Sequence, residues 1–151
     1  MKVVIEVCET LQEDVITISC GKITQDVLAL QRELQKKLGA KKEIVAYKNE
    51  AEYFIKLSDV LFFEVYDREV MLHTKDEVFR VKGKLYALEE SLPTQFVQIS
   101  KSALVNIMQV HSIDKSLGAG GVIAFENTHK QVSISRMYYK NLKEKLEGFR
   151  R

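Results

Sequence analysis

Two segments carry most of the polar chemistry of this chain. The first, QISKSALVNI at 98–107, sets Ser100, Lys101, Ser102 and Asn106 around the apolar residues Ala103, Leu104 and Val105. Hydroxyls and an amide are short groups suited to phosphate oxygens, and a lysine adds charge. The same residues also suit a short helical turn capped by Ser100 or Ser102. The two readings are compatible, because free N–H groups at a helix N-terminus bind phosphate as well. The second segment, VSISRMYYKNLK at 132–143, ends a strand at Ile134 and enters a basic, aromatic turn at Ser135 and Arg136. Arginine is the commonest reader of guanine, through bidentate bonds to O6 and N7 in the major groove. Taken singly, Arg136 also reads as half of a surface salt bridge.

Charge is spread unevenly around these segments. The 151 residues hold 23 Lys+Arg and 21 Asp+Glu, a net charge of +2 that by itself names no partner. Between Thr94 and Lys143, however, six basic residues (Lys101, Lys115, Lys130, Arg136, Lys140, Lys143) meet only Asp114 and Glu126. That stretch is +4 and the remainder is net acidic. Local asymmetry of this kind serves phosphate contact, where each neutralised phosphate releases counterion. It equally describes a solvated face of a soluble domain.

Catalytic templates are missing. The sequence has no G-x-x-x-x-G-K-[ST], G-x-G-x-x-G, C-x-x-C or H-E-x-x-H. Gly118, Gly120 and Gly121 fall between two strands, where no helix N-terminus is placed to hold a phosphate. His73, His111 and His129 stand singly, without metal-ligand spacing. No catalytic residue, cofactor or metal is nominated, and the chain is not read as an enzyme. No apolar run approaches the ~20 residues of a membrane span. The opening MKVVIEVCETLQED meets Glu6 and Glu9 before an export signal can form, so a cytoplasmic protein is expected. Cys8 and Cys20 make no disulfide framework and read as two small buried side chains.

The elements that must position the two segments fall into two parts. Residues 1–43 read as a strand–strand–helix leader. Val3–Val7 and Val15–Ser19 are its strands, joined by the turn LQED. Thr24 caps a helix whose Val27, Leu30, Leu34 and Leu38 share one face, and Gly39 closes it. That stripe either covers the leader hairpin or serves self-association. From Ile44 the chain is β-rich: Ile44–Tyr47, Tyr53–Leu57, Val60–Tyr66, Val70–Thr74 and Glu77–Val81. A helix over Lys84–Leu92 is ended by Pro93. Strands Phe96–Ile99, Gln109–Leu117, Val122–Glu126 and Gln131–Ile134 follow, with turns at GAGG and ENTHK. A basic helix over Tyr138–Leu146 comes last. The fold class is mainly β with minor α (α+β).

Between Asn49 and Leu146 the chain resembles the LytTR family of bacterial transcription regulators. The matching residues include LSDVLFFEVYDREVMLHT, KGKLYALEESLPTQFVQISKSALVNI, HSIDKSL and FENTHKQVSISRMYYKNLKEKL. The order and spacing of FVQISKSALVN followed by VSISRMYYKNLK carry the resemblance. It implies a LytTR-like domain at 44–151, built of three small antiparallel sheets with short helices. It implies loops set into successive major grooves of one face of double-stranded DNA, a bent duplex, and copies bound in pairs at direct-repeat promoter sites.

Carried onto this sequence, the resemblance places three regions on DNA. The first holds Arg68 and Glu69 beside Asp67, where some members have a base-reading histidine. The second holds Ser100, Lys101 and Ser102, with Asn106 anchoring its backbone. The third holds Arg136, with Lys140 on the following helix. A homodimer is expected, on DNA or through the leader helix. Small members of the family are often encoded beside membrane proteins, so a membrane-protein regulator is a further partner that the resemblance admits. A leader of 43 residues has no room for a phosphorelay receiver. The alternative is a protein-interaction module on the same β-scaffold without DNA binding. An RNA binder would need exposed aromatics for base stacking, whereas Phe62, Phe63 and Tyr66 read as buried.

Overall fold

A computed structural model describes residues 2–12, 14–38, 42–117 and 120–149. Among these residues, ten strands and three α-helices make the fold mainly β, as expected. Helix α1 spans Gln25–Leu38, with Asp26 in its first turn and Lys36 and Lys37 in its last, where each complements the helix dipole. Thr24 caps it, its Oγ1 accepting from the Val27 N–H at 3.3 Å. Gly39 and Gly118 lie outside the described residues.

Strands β1 (Glu43–Lys48), β2 (Ala51–Lys56), β3 (Phe62–Tyr66), β4 (Glu69–His73), β5 (Val78–Val81), β6 (Phe96–Ser100) and β7 (Ala103–Asn106) form one sheet, in the order β2-β1-β5-β4-β3-β7-β6. Strands β8 (Val110–Asp114), β9 (Val122–Phe125) and β10 (Gln131–Ser133) form a second. Every pairing is antiparallel. The strands thus make two hydrogen-bonded sheets where three were expected. The β1–β2 ribbon is joined to the larger sheet through the register pair Tyr47↔Arg80.

The middle of the larger sheet is buried on both faces, so its strands read as continuous apolar runs and not as alternation. Phe62, Val97 and Val105 enter one core with Ile123 and Phe125 of the small sheet, Ile134 just after it, and Leu142 and Leu146 of α3 (Arg136–Phe149). Their neighbours Phe63, Phe96 and Leu104 enter the other core, which α2 (Leu85–Ser91) caps with Leu85. The sheets are also clamped at their rims. Thr128 Oγ1 donates to the Lys75 carbonyl at 2.8 Å, and Lys130 Nζ donates to the Glu77 carbonyl at 2.5 Å.

Several expectations need correction. The leader hairpin does not form: residues 3–7 and 15–19 carry no strand pairing. A lone two-stranded ribbon with nothing against its apolar face is marginal in water. Cys8 and Cys20, read as buried, are exposed free thiols for the same reason. Residues 103–106, read for their polar neighbours, form the fully buried strand β7. The expected strand 109–117 stops at Asp114, where the Asp114 carboxylate accepts from the Ser116 N–H at 2.9 Å and starts a 3-10 turn. Tyr66 is 72% exposed, because β3 runs past the core into its hairpin.

Candidate nucleic-acid interface

Three loops lie along one end of the larger sheet. The first is the two-residue turn Asp67-Arg68 between β3 and β4, closed by the pair Tyr66↔Glu69. Both turn residues have positive φ, 49° and 66°. Two left-handed residues match the twist of the flanking strands, and asparagine-glycine is the usual pair there. Arginine at the second position is strained, and it leaves the Arg68 side chain exposed at the hairpin tip. Glu69 is engaged with Arg80, Oε1 to Nη1 at 3.4 Å.

The second loop is Lys101-Ser102 between β6 and β7. The register shifts between Gln98 and Ser100, a bulge that re-aims the turn. Ser100 Oγ accepts from the Ser102 N–H at 3.2 Å, so this hydroxyl shapes the loop, and no helix begins here. The Ser102 carbonyl accepts from the Val65 N–H at 2.8 Å. That bond ties the second loop to β3, one residue from Tyr66.

The third loop is the junction of β10 with α3. The Ser135 N–H donates to the Ile99 carbonyl at 2.8 Å, which fixes the junction beside the end of β6. Arg136 is the first residue of α3, and its first turn carries no acidic side chain. Lys140 follows, exposed, one turn later. Lys115 lies 4.2 Å from the centre of the Tyr139 ring, which adds another cation beside this turn.

The structure therefore brings Arg68, Glu69, Ser100, Lys101, Ser102 and Arg136 to one end of the molecule, with Lys140 on the adjoining helix. Among the described residues, none of Arg68, Lys101, Arg136 and Lys140 is in an ion pair. The salt-bridge reading of Arg136 accordingly has no partner there.

Asn106 stands apart. It sits at the far end of β7, fully buried. Its Nδ2 donates to the Val60 carbonyl at 2.9 Å and the Leu57 carbonyl at 3.4 Å. Its Oδ1 accepts from the Met108 N–H at 3.1 Å and from Gln95 Nε2 at 3.3 Å. Asn106 thus anchors the turns at 57–60 and 107–109 and not the loop at 100–102, and it has no free group for a ligand.

Three further residues belong to this end and were not assigned to the site from the sequence. Tyr66 is exposed at the root of the first loop. Met137, beside Arg136, is 85% exposed, an apolar group of the kind that meets a thymine methyl. Gly120 packs against the backbone of Ile134, Ser135 and Arg136. Only Met137 had a local signal, its place next to Arg136.

Comparison with known proteins agrees with this architecture. The LytTr DNA-binding domain family matches residues 50–147. An uncharacterized HTH-type transcriptional regulator of Staphylococcus aureus strain NCTC 8325 is 35% identical over 105 residues, covering 68% of this chain and 69% of its own. The counterpart in strain MRSA252 is 34% identical over the same shares. A solved LytTr DNA-binding domain from Bacillus cereus superposes with a TM-score of 0.64 at 20% identity, covering 72% of this chain and 99% of that domain. Among the described residues no helix is long and apolar enough to cross a membrane. The chain belongs to the LytTr DNA-binding domain family.

Proposed function

We propose that this chain is a sequence-specific regulator of transcription that sets its three loops into successive major grooves along one face of promoter DNA. The observation that carries the reading is the gathering of Arg68, Lys101 and Arg136, all without ion-pair partners among the described residues, on three loops at one end of one sheet. Strands separate the three helices along the chain, so a helix-turn-helix reader does not fit the element order among the described residues. Loops are left as the reading elements.

Arg136 and Arg68 read bases, and Lys101 with Ser100 and Ser102 holds phosphates. The N-terminus of α3 adds its dipole to the same side. Bending of the duplex lets sequence be read at base pairs that the protein does not touch. One domain makes few contacts against a large nonspecific background, so two copies occupy a repeated site. The protein acts in the cytoplasm, where promoter DNA is found.

The test begins with selection of bound duplexes from a random pool at fixed salt. On the selected site, Arg136→Ala loses specific binding while its circular dichroism and melting temperature stay as in the wild type. Lys101→Ala weakens selected and random DNA alike and reduces the salt slope by about one phosphate. Wild-type affinity in Arg136→Ala, or an unchanged slope in Lys101→Ala, contradicts these roles.

A further inference from the structure

We infer that residues 3–7 and 15–19 are strands of a dimer seam, pairing antiparallel with the same segments of a second copy, and that the apolar stripe of α1 packs in the same interface. This deepens the pairing of copies proposed above, yet it needs no DNA and is tested without it.

The first segment of the leader is apolar and largely uncovered. Val3, Ile5 and Val7 are 91%, 88% and 86% exposed, and Val4, Val15 and Ile16 are exposed as well. The one backbone hydrogen bond among the described residues of this segment closes a local turn, Leu11 N–H to the Cys8 carbonyl. In helix α1 the stripe residues Val27, Leu30 and Leu34 are half-buried, and Leu38 at its end is 69% exposed. Exposed apolar surface on this scale marks an interaction site. The two features are joined in the chain, so one partner covers both.

Charge identifies that partner. With two copies of the first strand antiparallel and centred on Val4, Lys2 stands opposite Glu6 of the second copy and Val3 opposite its Ile5. Val3, Ile5 and Val7 then form one apolar face. The open edge of the larger sheet, β2, is a worse match. The antiparallel register that sets Val3, Val4 and Ile5 against Ile55, Phe54 and Tyr53 also sets Lys2 against Lys56 and Glu6 against Glu52. Like charges at both ends disfavour that pairing. Residues 1–43 hold seven basic and seven acidic side chains, so two leaders do not repel. A seam of one surface with its own copy is isologous and closes at two. It also leaves the three loops free: Lys37 of α1 lies 5.9 Å from the ring of Phe149, at the end of α3 opposite Arg136.

Sedimentation equilibrium of the full chain without DNA tests the seam. The expected mass is twice the 17.4 kDa of one chain. Ile5→Lys is expected to return it to one chain that is still folded by circular dichroism, because the exposed Ile5 contributes little to the monomer. Lys2→Glu and Glu6→Lys each weaken the dimer by about tenfold, and the double reversal Lys2→Glu/Glu6→Lys restores it. The inference is overturned by a wild-type chain that stays monomeric at high micromolar concentration. It is equally overturned by a dimer indifferent to Ile5→Lys, or by a double reversal no better than the singles. A monomer that binds the selected DNA normally sinks the seam alone. A dimer that binds no promoter sinks the DNA reading alone.

Discussion

Gly120 lies against Ile134 so closely that a Cβ at position 120 would overlap the Ile134 carbonyl oxygen. The same Cβ would sit 2.7 Å from the Ser135 carbonyl carbon and 2.8 Å from the Arg136 nitrogen. These neighbours are backbone, so no side chain can swing aside. Next to it, Gly121 takes a φ of 105°, and its carbonyl accepts from the Ile134 N–H at 2.9 Å. The glycine loop thus fixes the height at which Arg136 leaves the sheet. Gly120→Ala is expected to cost roughly 1–3 kcal/mol, as overpacking does. It should also weaken specific DNA binding beyond what the lost stability explains, because Arg136 moves with its backbone. Calorimetric unfolding beside binding isotherms on the folded variant checks both. An alanine variant with wild-type melting and affinity would show that this close approach is unimportant.

The hairpin tip at Asp67-Arg68 trades stability for an exposed cation. A non-glycine residue in the left-handed region costs roughly 1–2 kcal/mol. Arg68→Gly is therefore expected to raise stability by about 1 kcal/mol, the glycine's own chain entropy taking back part of the gain. The same change should lower affinity for the selected site more than for random DNA, if Arg68 reads a base. Stability rising while specificity falls is the signature. A variant that binds as well as wild type removes Arg68 from the readout.

Asn106 is expected to be a stability residue. Replacing it with leucine keeps the branching at Cγ but strands the Val60 carbonyl and takes the acceptor from the Met108 N–H, while the Leu57 carbonyl keeps the Val60 N–H. Each buried group left without a partner costs about 1–3 kcal/mol. Asn106→Leu should thus unfold at much lower denaturant concentration, while the folded fraction still binds DNA with wild-type affinity and salt slope. Loss of affinity in molecules shown to be folded would return Asn106 to the interface.

How much of this was legible in the sequence depends on how local each cause is. The β-branched and aromatic runs from Ile44 onward announced most strands, and the two turns carrying Lys101 and Arg136 stood out by their polar residues. Strand β7 did not, because a strand buried on both faces has no alternation to read. The carbonyls that Asn106 holds belong to residues 46 and 49 positions away, so its role could not be read from 98–107. Gly120 likewise serves a backbone 14 residues downstream. The leader shows the reverse failure. Its β-branched runs are real, but a strand needs a partner, and propensity alone supplies none.

His73 should make the fold sensitive to mild acid. Its Nε2 lies 2.8 Å from Glu64 Oε1, and its ring stacks on Phe62 at 4.2 Å. Burial pushes the imidazole below its ordinary value of 6.5; Glu64 opposes this and Lys130 adds to it. Its Nδ1 is buried without a hydrogen-bond partner among the described residues, so a proton there would be a donor with no acceptor. Because the folded value is the lower one, the unfolded chain takes up the proton first as pH falls. The stability contribution is full above about 6.5 and is lost as pH drops from there toward the folded value. His73→Gln removes the titration and leaves the other ionisable groups in place. The wild-type melting temperature should therefore fall more steeply than that of His73→Gln between about pH 7 and pH 5, though the variant starts lower for want of the Phe62 stack. Parallel curves would mean that His73 carries its proton equally well folded and unfolded.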